Sequence, residues 1–360
     1  MMKSILVFCF ILFFQVQNIY SQVVLNADGP GNTYELINSV LAPGFDVVED
    51  PDCSHTAFGR HIDEVFDAEL NTNVFRFQIH VTLDNDRCIN FDRQRNEIKT
   101  YDKSPDNLKG VEGETVVYKW KFKLDAGFQS SPNFTHIHQL KTVGGLYESI
   151  PMYTLTARKG TPDKLELRYA ETASQSTLQQ TDLTPFKGAW VEVTETIKYG
   201  TNASPDSGTF SIVIKRVSDM VTLFSYTNNA IKNWQTDADF VRPKWGIYRS
   251  LLNSADLRDE QVLFANFSIE EMGTLSVNDT NFNKNRIKIV PNPASNQISI
   301  IEATPKSFNS INIYDNLGRL MIQPRPISKT IDISNLNSGI YFIAFKKDLY
   351  TVDVERLIVK

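Results

Sequence analysis

Residues 115–124 read TVVYKWKFKL, a stretch in which apolar side chains alternate with charged or polar ones. A repeat of two residues is typical of a β-strand, because neighbouring side chains point to opposite faces of a sheet. The same period recurs in residues 74–81, 189–197 and 209–217. Long amphipathic helical stretches are absent, apart from a short helical pattern at residues 62–66. Many strands separated by polar turns predict an all-β sandwich of two stacked antiparallel sheets.

The charge of the chain excludes one class of function. Its 360 residues carry a formal net charge of −5, which rules out a generally basic nucleic-acid binder. Any site for a polyanion must therefore be a local patch. In sandwiches of this kind one sheet commonly curves around an open cleft that can hold an extended chain. Binding modules and several classes of enzyme share this architecture, so the fold alone does not select a function.

The N-terminus has the pattern of a secretory signal peptide, predicted at residues 1–21. Lys3 supplies a positive charge, residues 5–14 are wholly apolar, and the small Ser21 precedes a cleavage point at Gln22. The apolar run is shorter than the roughly 20 residues of a membrane span. Because no second such run follows, we predict no transmembrane segment.

Cleavage at that point would remove Cys9 and leave Cys53 and Cys88 as the remaining cysteines. In an oxidising compartment they are expected to form one disulfide, with two unpaired buried thiols as the alternative. Neither cysteine lies in a Cys-x-x-Cys motif, and His136 and His138 are the only histidines close in sequence. We therefore predict no metal site and no cofactor, although the fold admits a structural calcium ion.

Residues 286–360 form a second series of short alternating strands between Asn and Gly turns. Its motifs are Pro291-Asn292-Pro293, Tyr314-Asp315 before Gly318-Arg319, and Leu336 before Gly339-Ile340-Tyr341. In this order they resemble the C-terminal sorting domain of the type IX secretion system, with a carbohydrate-binding sandwich as the alternative. The resemblance implies a partner in the secretion machinery. It also implies export through the periplasm of a Gram-negative bacterium, to the medium or the cell surface.

Three segments discriminate among the functions of the larger domain: RQRNEIK at 93–99, FTHIHQLK at 134–141 and RPKWGIYR at 242–249. Together they resemble the signature strands of the alginate-lyase type of β-jelly roll, which read Arg-x-Glu-Leu, Gln-Ile-His and Lys-x-Gly-x-Tyr. Arg95-Asn96-Glu97-Ile98 matches the first signature. Lys244-Trp245-Gly246-Ile247-Tyr248 matches the third residue by residue.

The second segment departs from the family pattern and allows two registers. His136-Ile137-His138 has histidine where the family has glutamine, whereas Gln139-Leu140-Lys141 keeps glutamine and has lysine in place of histidine. Because side chains alternate along a strand, only one pair is expected to line the cleft. We favour Gln139 and Lys141, because ulvan-cleaving jelly-roll lyases resemble the alginate group and are known for a lysine with a tyrosine. The two histidines would then face inward or toward a neighbouring strand.

The resemblance implies a secreted polysaccharide lyase that cleaves a uronate-containing polysaccharide of the ulvan type by β-elimination, leaving unsaturated uronate ends. Alginate or glucuronan is the alternative substrate, and a glycoside hydrolase or a lectin-like carbohydrate-binding module of the same fold is the alternative function. We expect a monomer whose partner is an anionic polysaccharide, not a nucleic acid. The predicted domains are the signal peptide at 1–21, a β-jelly-roll catalytic domain at 22–272, a linker at 273–285 and the sorting domain at 286–360.

The chemistry assigns a role to each candidate. The C5 proton of a uronate is only weakly acidic while the neighbouring carboxylate of the sugar carries its charge, so the enzyme must neutralise that carboxylate. Arg95 is predicted to supply the positive charge and Gln139 an amide donor. Tyr248 is predicted to act as acid, base or both, with Lys141 as its base partner or as the cation that lowers its pKa. The predicted substrate-binding residues are Glu97, which orients Arg95, and Lys244, His136, His138 and Arg249.

Each role has a plainer alternative. Arg95 could pair with Glu97 or Glu192 across strands, Tyr248 could be an ordinary aromatic residue on a sheet face, and Lys141 could be a solvated strand end. Gly246 shares a face with Lys244 and Tyr248 and is expected to leave room for a close sugar ring.

Overall fold

The computed structural model describes residues 21–201, 207–272, 287–301, 308–315, 318–324, 328–347 and 350–360. The predicted signal peptide, except Ser21, and the predicted linker lie outside these residues. The chain divides into two compact units, Met1–Thr274 and Leu275–Lys360. Among the described residues, no helix combines the length and the apolar character that crossing a membrane requires.

The first unit consists mainly of β-strands that pair in antiparallel fashion. Its strands are β1 (Ser21–Leu25), β2 (Val48–Glu49), β3 (Ile62–Asp67), β4 (Thr72–Ile79), β5 (Arg93–Lys99), β6 (Thr115–Leu124), β7 (Thr135–Val143), β8 (Tyr153–Arg158), β9 (Lys164–Tyr169), β10 (Ser176–Asp182), β11 (Trp190–Lys198), β12 (Thr209–Arg216), β13 (Thr222–Asn228), β14 (Phe240–Ser250) and β15 (Glu260–Glu271).

These strands form two sheets. The eight-stranded sheet has the order β13-β12-β11-β6-β15-β4-β3, with β1 paired to β15, and the seven-stranded sheet has the order β10-β9-β8-β7-β14-β5-β2. The apolar sides of both sheets contribute to one hydrophobic core. Trp120 of β6 and Trp245 of β14 meet there, with their ring centroids 5.9 Å apart. The predicted β-jelly-roll sandwich is thereby confirmed.

The short helix predicted at residues 62–66 is wrong, because this segment forms strand β3. It pairs with β4 along its whole length, from Ile62 opposite Phe77 to Asp67 opposite Thr72. The pairing buries Glu64 beneath the sheet, where its carboxylate accepts a hydrogen bond from the backbone N–H of Gly29 at 2.6 Å. Sheet pairing has overridden the local pattern. The helices that the structure does contain are α1 (Thr33–Leu41) and the 3₁₀ turns Asp106–Leu108, Thr184–Phe186 and Ser254–Asp256.

Cys53 and Cys88 form the predicted disulfide. It joins the segment that precedes β3 to the loop between β4 and β5, across a sequence separation of 35 residues. Closing a loop of this length is worth about 3–4 kcal/mol in the chain-entropy view of disulfides.

The second unit is a small β-sandwich with its own core. Its strands are β16 (Lys288–Val290), β17 (Gln297–Ile301), β18 (Ser310–Asp315), β19 (Leu320–Ile322), β20 (Thr330–Asp332), β21 (Gly339–Lys347) and β22 (Tyr350–Val359). They form a sheet of order β16-β17-β20 and a sheet of order β19-β18-β21-β22. Ile298, Ile313 and Ile343 are fully buried in the core that the two sheets share.

Candidate active site

The three sequence motifs meet on adjacent strands of the seven-stranded sheet. β14 pairs with β5 so that Tyr248 lies opposite Arg95. On its other side β14 pairs with β7, so that Lys244 lies opposite Gln139 and Tyr248 opposite His136. The side of the sheet that carries these residues is turned away from the hydrophobic core. We refer to it as the polar face.

A β-bulge decides which histidine reaches the polar face. Two residues apart on a regular strand, His136 and His138 would point the same way. The register of β7 shifts between them, which sends them to opposite faces. The His136 ring lies beside Tyr248, with the centroids 5.8 Å apart. His138 instead points into the core, where its Nε2 lies 2.9 Å from a carboxylate oxygen of Glu195.

Buried charges form a network beneath the polar face. Glu97 is fully buried and accepts from Arg95 Nη1 at 2.6 Å, while Lys244 Nζ lies 2.8 Å from the same oxygen. The other carboxylate oxygen of Glu97 accepts a hydrogen bond from the Gln139 side-chain amide. Glu49 of β2 adds a second carboxylate, in contact with both Lys244 and Arg95. Burial by itself raises the pKa of Glu97, but Lys244 and Arg95 outweigh it and lower that pKa. We call these five residues the ionic network.

Tyr248 is held by two arginines. The guanidinium carbon of Arg95 lies 3.7 Å from the centroid of its ring, and Arg93 Nη1 donates to its hydroxyl at 3.0 Å. Arg95 is fixed from behind, since its Nε donates to Asp86 at 2.9 Å. Burial raises the pKa of Tyr248, and the two guanidinium charges offset that rise only in part. We call Arg93, Arg95, His136 and Tyr248 the tyrosine end of the polar face.

His136 is a neutral group at this end. Burial lowers the pKa of its imidazole to about 3, so the ring carries no charge near neutral pH. The ring stacks on Phe134, with the centroids 4.8 Å apart. Its Nδ1 is enclosed and has no hydrogen-bond partner among the described residues. His136 therefore offers hydrogen bonding without charge.

The other end of the polar face carries cations of a different kind. Lys141 lies opposite Arg242, and neither forms an ion pair with a carboxylate in the described part of the chain, although the charge of Glu49 acts on the pKa of both. Burial, followed by the charges of Lys244 and Arg242, lowers the pKa of Lys141 to about 8. We call Lys141 and Arg242 the lysine end.

The two ends are well separated. Lys141 follows His136 by five residues along β7, and the bulge takes up one of them. The remaining four residues of extended strand separate the two Cα atoms by ~13 Å. Among the described residues, no hydrogen bond joins Lys141 to Tyr248, and neither is among the main influences on the pKa of the other, so the predicted pairing of the two is not seen. The cations that act on the pKa of Tyr248 are Arg95 and Arg93.

Two predicted substrate-binding residues face the wrong way. Arg249 is fully buried, donating to Gln94 at 2.8 Å and to the Arg258 carbonyl at 2.9 Å. It follows Tyr248 by one residue, so strand alternation turns it away from the polar face, and His138 is displaced by the bulge. Arg249 and His138 are thus structural residues.

Lys244 and Gly246 occupy the expected face but have other tasks. Lys244 belongs to the ionic network, and its side chain is only 3% exposed. Gly246 has φ of +147°, and a Cβ at this position would lie 2.1 Å from the Asn96 carbonyl oxygen on β5. The glycine is therefore required by the close approach of two strands and not by a sugar ring.

Sequence reasoning missed four residues that shape this site. Arg93 and Arg242 share strand parity with Arg95 and Lys244, so period two alone could have placed them on the polar face. Glu49 comes from a two-residue strand and Asp86 from a loop. No local pattern marks either carboxylate.

Two family profiles match this chain. The profile of the family described as polysaccharide lyase matches residues 72–268, and that of the secretion system C-terminal sorting domain matches residues 288–360. No curated protein matches the chain. The second match confirms the predicted type IX sorting tail and, with it, export to the medium or the cell surface.

Among solved structures, an endo-β-1,4-glucuronan lyase from the fungus Trichoderma reesei is similar, with 16% identity, a TM-score of 0.44, and 63% of this chain and 90% of that chain covered. The PL-14 alginate lyase from Aplysia kurodai has 12% identity and a TM-score of 0.46, with 69% of this chain and 98% of that chain covered. An alginate lyase from Pseudomonas aeruginosa has 12% identity and a TM-score of 0.40, with 62% of this chain and 96% of that chain covered.

Family membership rests on the profile that covers residues 72–268, more than half of the 360 residues. That span includes all three motif strands, β5, β7 and β14. The chain belongs to the polysaccharide lyase family and is a polysaccharide lyase with a C-terminal secretion sorting domain.

Proposed function

We propose that this lyase cleaves a sulfated, uronate-containing polysaccharide of the ulvan type, and that the reaction takes place at the tyrosine end of the polar face. The observation that carries the proposal is the surrounding of Tyr248: two guanidinium groups and a neutral imidazole in contact with one phenol. A phenol in such surroundings can both give and accept a proton.

We assign both proton transfers to Tyr248. Its phenolate takes the C5 proton of the uronate, and the phenol so formed gives that proton to the glycosidic oxygen. The C4–O bond breaks as the C4–C5 double bond forms, so no further reactant is needed. Arg93 and Arg95 favour the phenolate against the effect of burial. His136, with its pKa near 3, binds a proton too weakly to be an effective base at neutral pH.

The substrate carboxylate must be stabilised as the C5 proton leaves. The donors of Arg95 are already directed at Glu97, Glu49 and Asp86, which limits it to an electrostatic role behind the ring. Arg93 also has partners, since Nε and Nη2 donate to Asp92 and Nη1 donates to Tyr248. Its side chain is nevertheless 34% exposed, so its remaining N–H groups can reach a bound sugar. We therefore assign the carboxylate to Arg93, with the neutral His136 as a second hydrogen-bonding partner.

The lysine end supports a sulfated substrate. Lys141 and Arg242 lie opposite each other, partly buried, with no carboxylate ion-pair partner among the described residues. Two adjacent cations in a site of reduced dielectric favour a strong anion over water. Ulvan carries sulfate groups in addition to uronate carboxylates, whereas alginate and glucuronan carry carboxylates alone. A sulfate further along the bound chain would complete this end.

The experiment is to incubate the full chain with ulvan, chemically desulfated ulvan, glucuronan and alginate, following the ultraviolet absorbance of the C4–C5 double bond. We expect the highest kcat/KM on ulvan, with a loss of about tenfold or more on the desulfated polymer, because each charge-assisted contact is worth about 1.5–3 kcal/mol. Equal rates on both polymers would refute the sulfate assignment. Release of sugar without absorbance would indicate hydrolysis, and retention without cleavage would indicate a binding module; either result would refute the proposed lyase.

A further inference from the structure

Three of the five histidines in the sequence meet at one place outside the polar face. His55, His61 and His80 surround the carboxylate of Asp84, and we call these four residues the histidine cluster. The centroids of the imidazole rings lie 4.9–5.5 Å from one another. One potential ligand atom from each residue lies within 4.8 Å of the others. The proposed lyase mechanism uses none of them.

The oxygens of Asp84 lie at the spacing of metal ligands from nitrogens of all three imidazoles. The oxygens of Asp84 lie 2.9 Å from His55 Nδ1, 3.2 Å from His61 Nε2 and 3.1 Å from His80 Nδ1. Zinc bonds of about 2.0–2.1 Å in tetrahedral geometry place neighbouring ligand atoms roughly 3.3 Å apart. Three imidazole nitrogens and one carboxylate oxygen form a donor set that suits Zn²⁺.

Outer contacts orient two of these ligands. His61 Nδ1 lies 2.6 Å from Asp52, which directs Nε2 of the same ring toward Asp84. Asp52 is itself held by the hydroxyl of Tyr34 at 3.1 Å. A carboxylate behind a histidine is the usual outer arrangement of a metal-binding imidazole, because it fixes the tautomer and the direction of the ring. The backbone N–H of His80 donates to Asp84 at 2.6 Å and fixes the carboxylate.

One side of the histidine cluster is buried in the protein and the other side is partly open to solvent. The side chains of His61 and Asp84 are 0% exposed, whereas those of His55 and His80 are 17% and 21% exposed. Phe58 lies against the rings, with its centroid 4.3 Å from that of His80. A cation can therefore reach the ligands from solvent and, once bound, is largely shielded from it.

We propose that the histidine cluster binds one divalent transition-metal ion, Zn²⁺ by its donor set, and that the ion anchors the loop that positions Arg95. The loop runs from Asp84 to Cys88 and carries Asp86, whose carboxylate holds Arg95. Its far end is tied by the disulfide to Cys53. The ion and the disulfide thus fasten the same two segments of the chain at two points.

The experiment uses the full chain, prepared without a histidine tag and stripped with a chelator, and zinc chloride as the probe. We expect one zinc per chain after desalting. The midpoint of thermal unfolding should rise by about 5 °C or more at zinc 100-fold above its Kd. Cobalt(II) gives a readout that needs no variant, since tetrahedral nitrogen and oxygen ligands produce an intense visible absorbance that octahedral cobalt lacks.

The variants are His55→Gln and His80→Gln, chosen because both side chains are partly exposed and their loss disturbs folding least. Each should lose stoichiometric zinc and the zinc-dependent rise in melting temperature, while the matched control His136→Gln should keep both. Substoichiometric zinc and an unchanged melt of the unaltered chain would overturn the proposal, as would full zinc binding by either variant. These measurements need no polysaccharide, so they succeed or fail independently of the proposed substrate.

Discussion

The two ends of the polar face use cations in different ways. At the tyrosine end Arg95 is balanced by carboxylates from Glu97 and Asp86, and its remaining influence acts on the ring of Tyr248. At the lysine end Lys141 and Arg242 have no carboxylate ion-pair partner among the described residues, although they lie on the same sheet face. Charges already held in ion pairs within the protein can tune a catalytic group, whereas charges without an ion-pair partner are suited to holding an anion. We therefore propose that the chemistry takes place at the tyrosine end and that the lysine end binds substrate.

The largest effect should come from Tyr248→Phe. Removing the group that carries the proton is expected to lower kcat by about 10³-fold or more, since general acid and base catalysis contribute 10²–10⁴-fold each. The ring still packs on Arg95, so stability should change by only about 1 kcal/mol for the lost hydrogen bond. Steady-state rates and thermal melts measure both. The control is Tyr226→Phe on β13 in the other sheet, which should behave as the unaltered enzyme.

His136 can be tested with two variants that separate hydrogen bonding from proton transfer. His136→Ala removes a hydrogen-bonding partner of the substrate carboxylate and should lower kcat by about 10²-fold. His136→Gln retains an N–H donor and should recover much of that loss. A glutamine variant as inactive as the alanine variant would instead identify His136 as the base. The comparison requires kcat at saturating substrate.

The lysine end should affect binding. Lys141→Gln removes one charge-assisted contact and is expected to raise KM by about tenfold with little change in kcat. Arg242→Gln should act in the same direction. Lys119→Gln, at an exposed lysine on β6 of the other sheet, is the matched control for charge and should leave KM unchanged. An unaltered KM in both lysine-end variants would refute the proposed sulfate-binding site.

The smallest effect is a pH dependence of KM. Burial and neighbouring cations lower the pKa of Lys141 to about 8, so the side chain is an ammonium ion below that pH and a neutral amine above it. Affinity for the anionic chain should therefore be full below pH 8 and decrease as the pH rises through that value, and KM should rise. In Lys141→Gln this dependence should be absent. A rise of kcat over the same interval that is absent in Lys141→Gln would mean that the neutral amine acts as a base.

Much of the fold was accessible from sequence because period two determines which side chains share a sheet face. The same rule correctly grouped Arg95, Glu97, Lys244 and Tyr248, although their contacts to each other and to Glu49 were not predictable. It failed at residues 136–138, where the letters give no sign of a bulge. The α-helix at Thr33–Leu41 was also overlooked, despite Ile37 and Leu41 at helical spacing.

The remaining features depend on contacts between distant segments. Asp86 reaches Arg95 from a loop, and the histidine cluster joins residues from before β3 and after β4. Only the antiparallel pairing of those two strands brings His61 and His80 together. A search for closely spaced histidines finds His136 and His138, which do not act together, and overlooks the three that meet.

The most direct test of the account is kcat at saturating ulvan for Lys141→Gln and Tyr248→Phe, measured in one experiment by the absorbance of the new double bond. We predict that Lys141→Gln retains kcat within about threefold of the unaltered enzyme, while Tyr248→Phe falls by about 10³-fold. A loss of kcat in Lys141→Gln as large as that in Tyr248→Phe would contradict the assignment of chemistry to the tyrosine end.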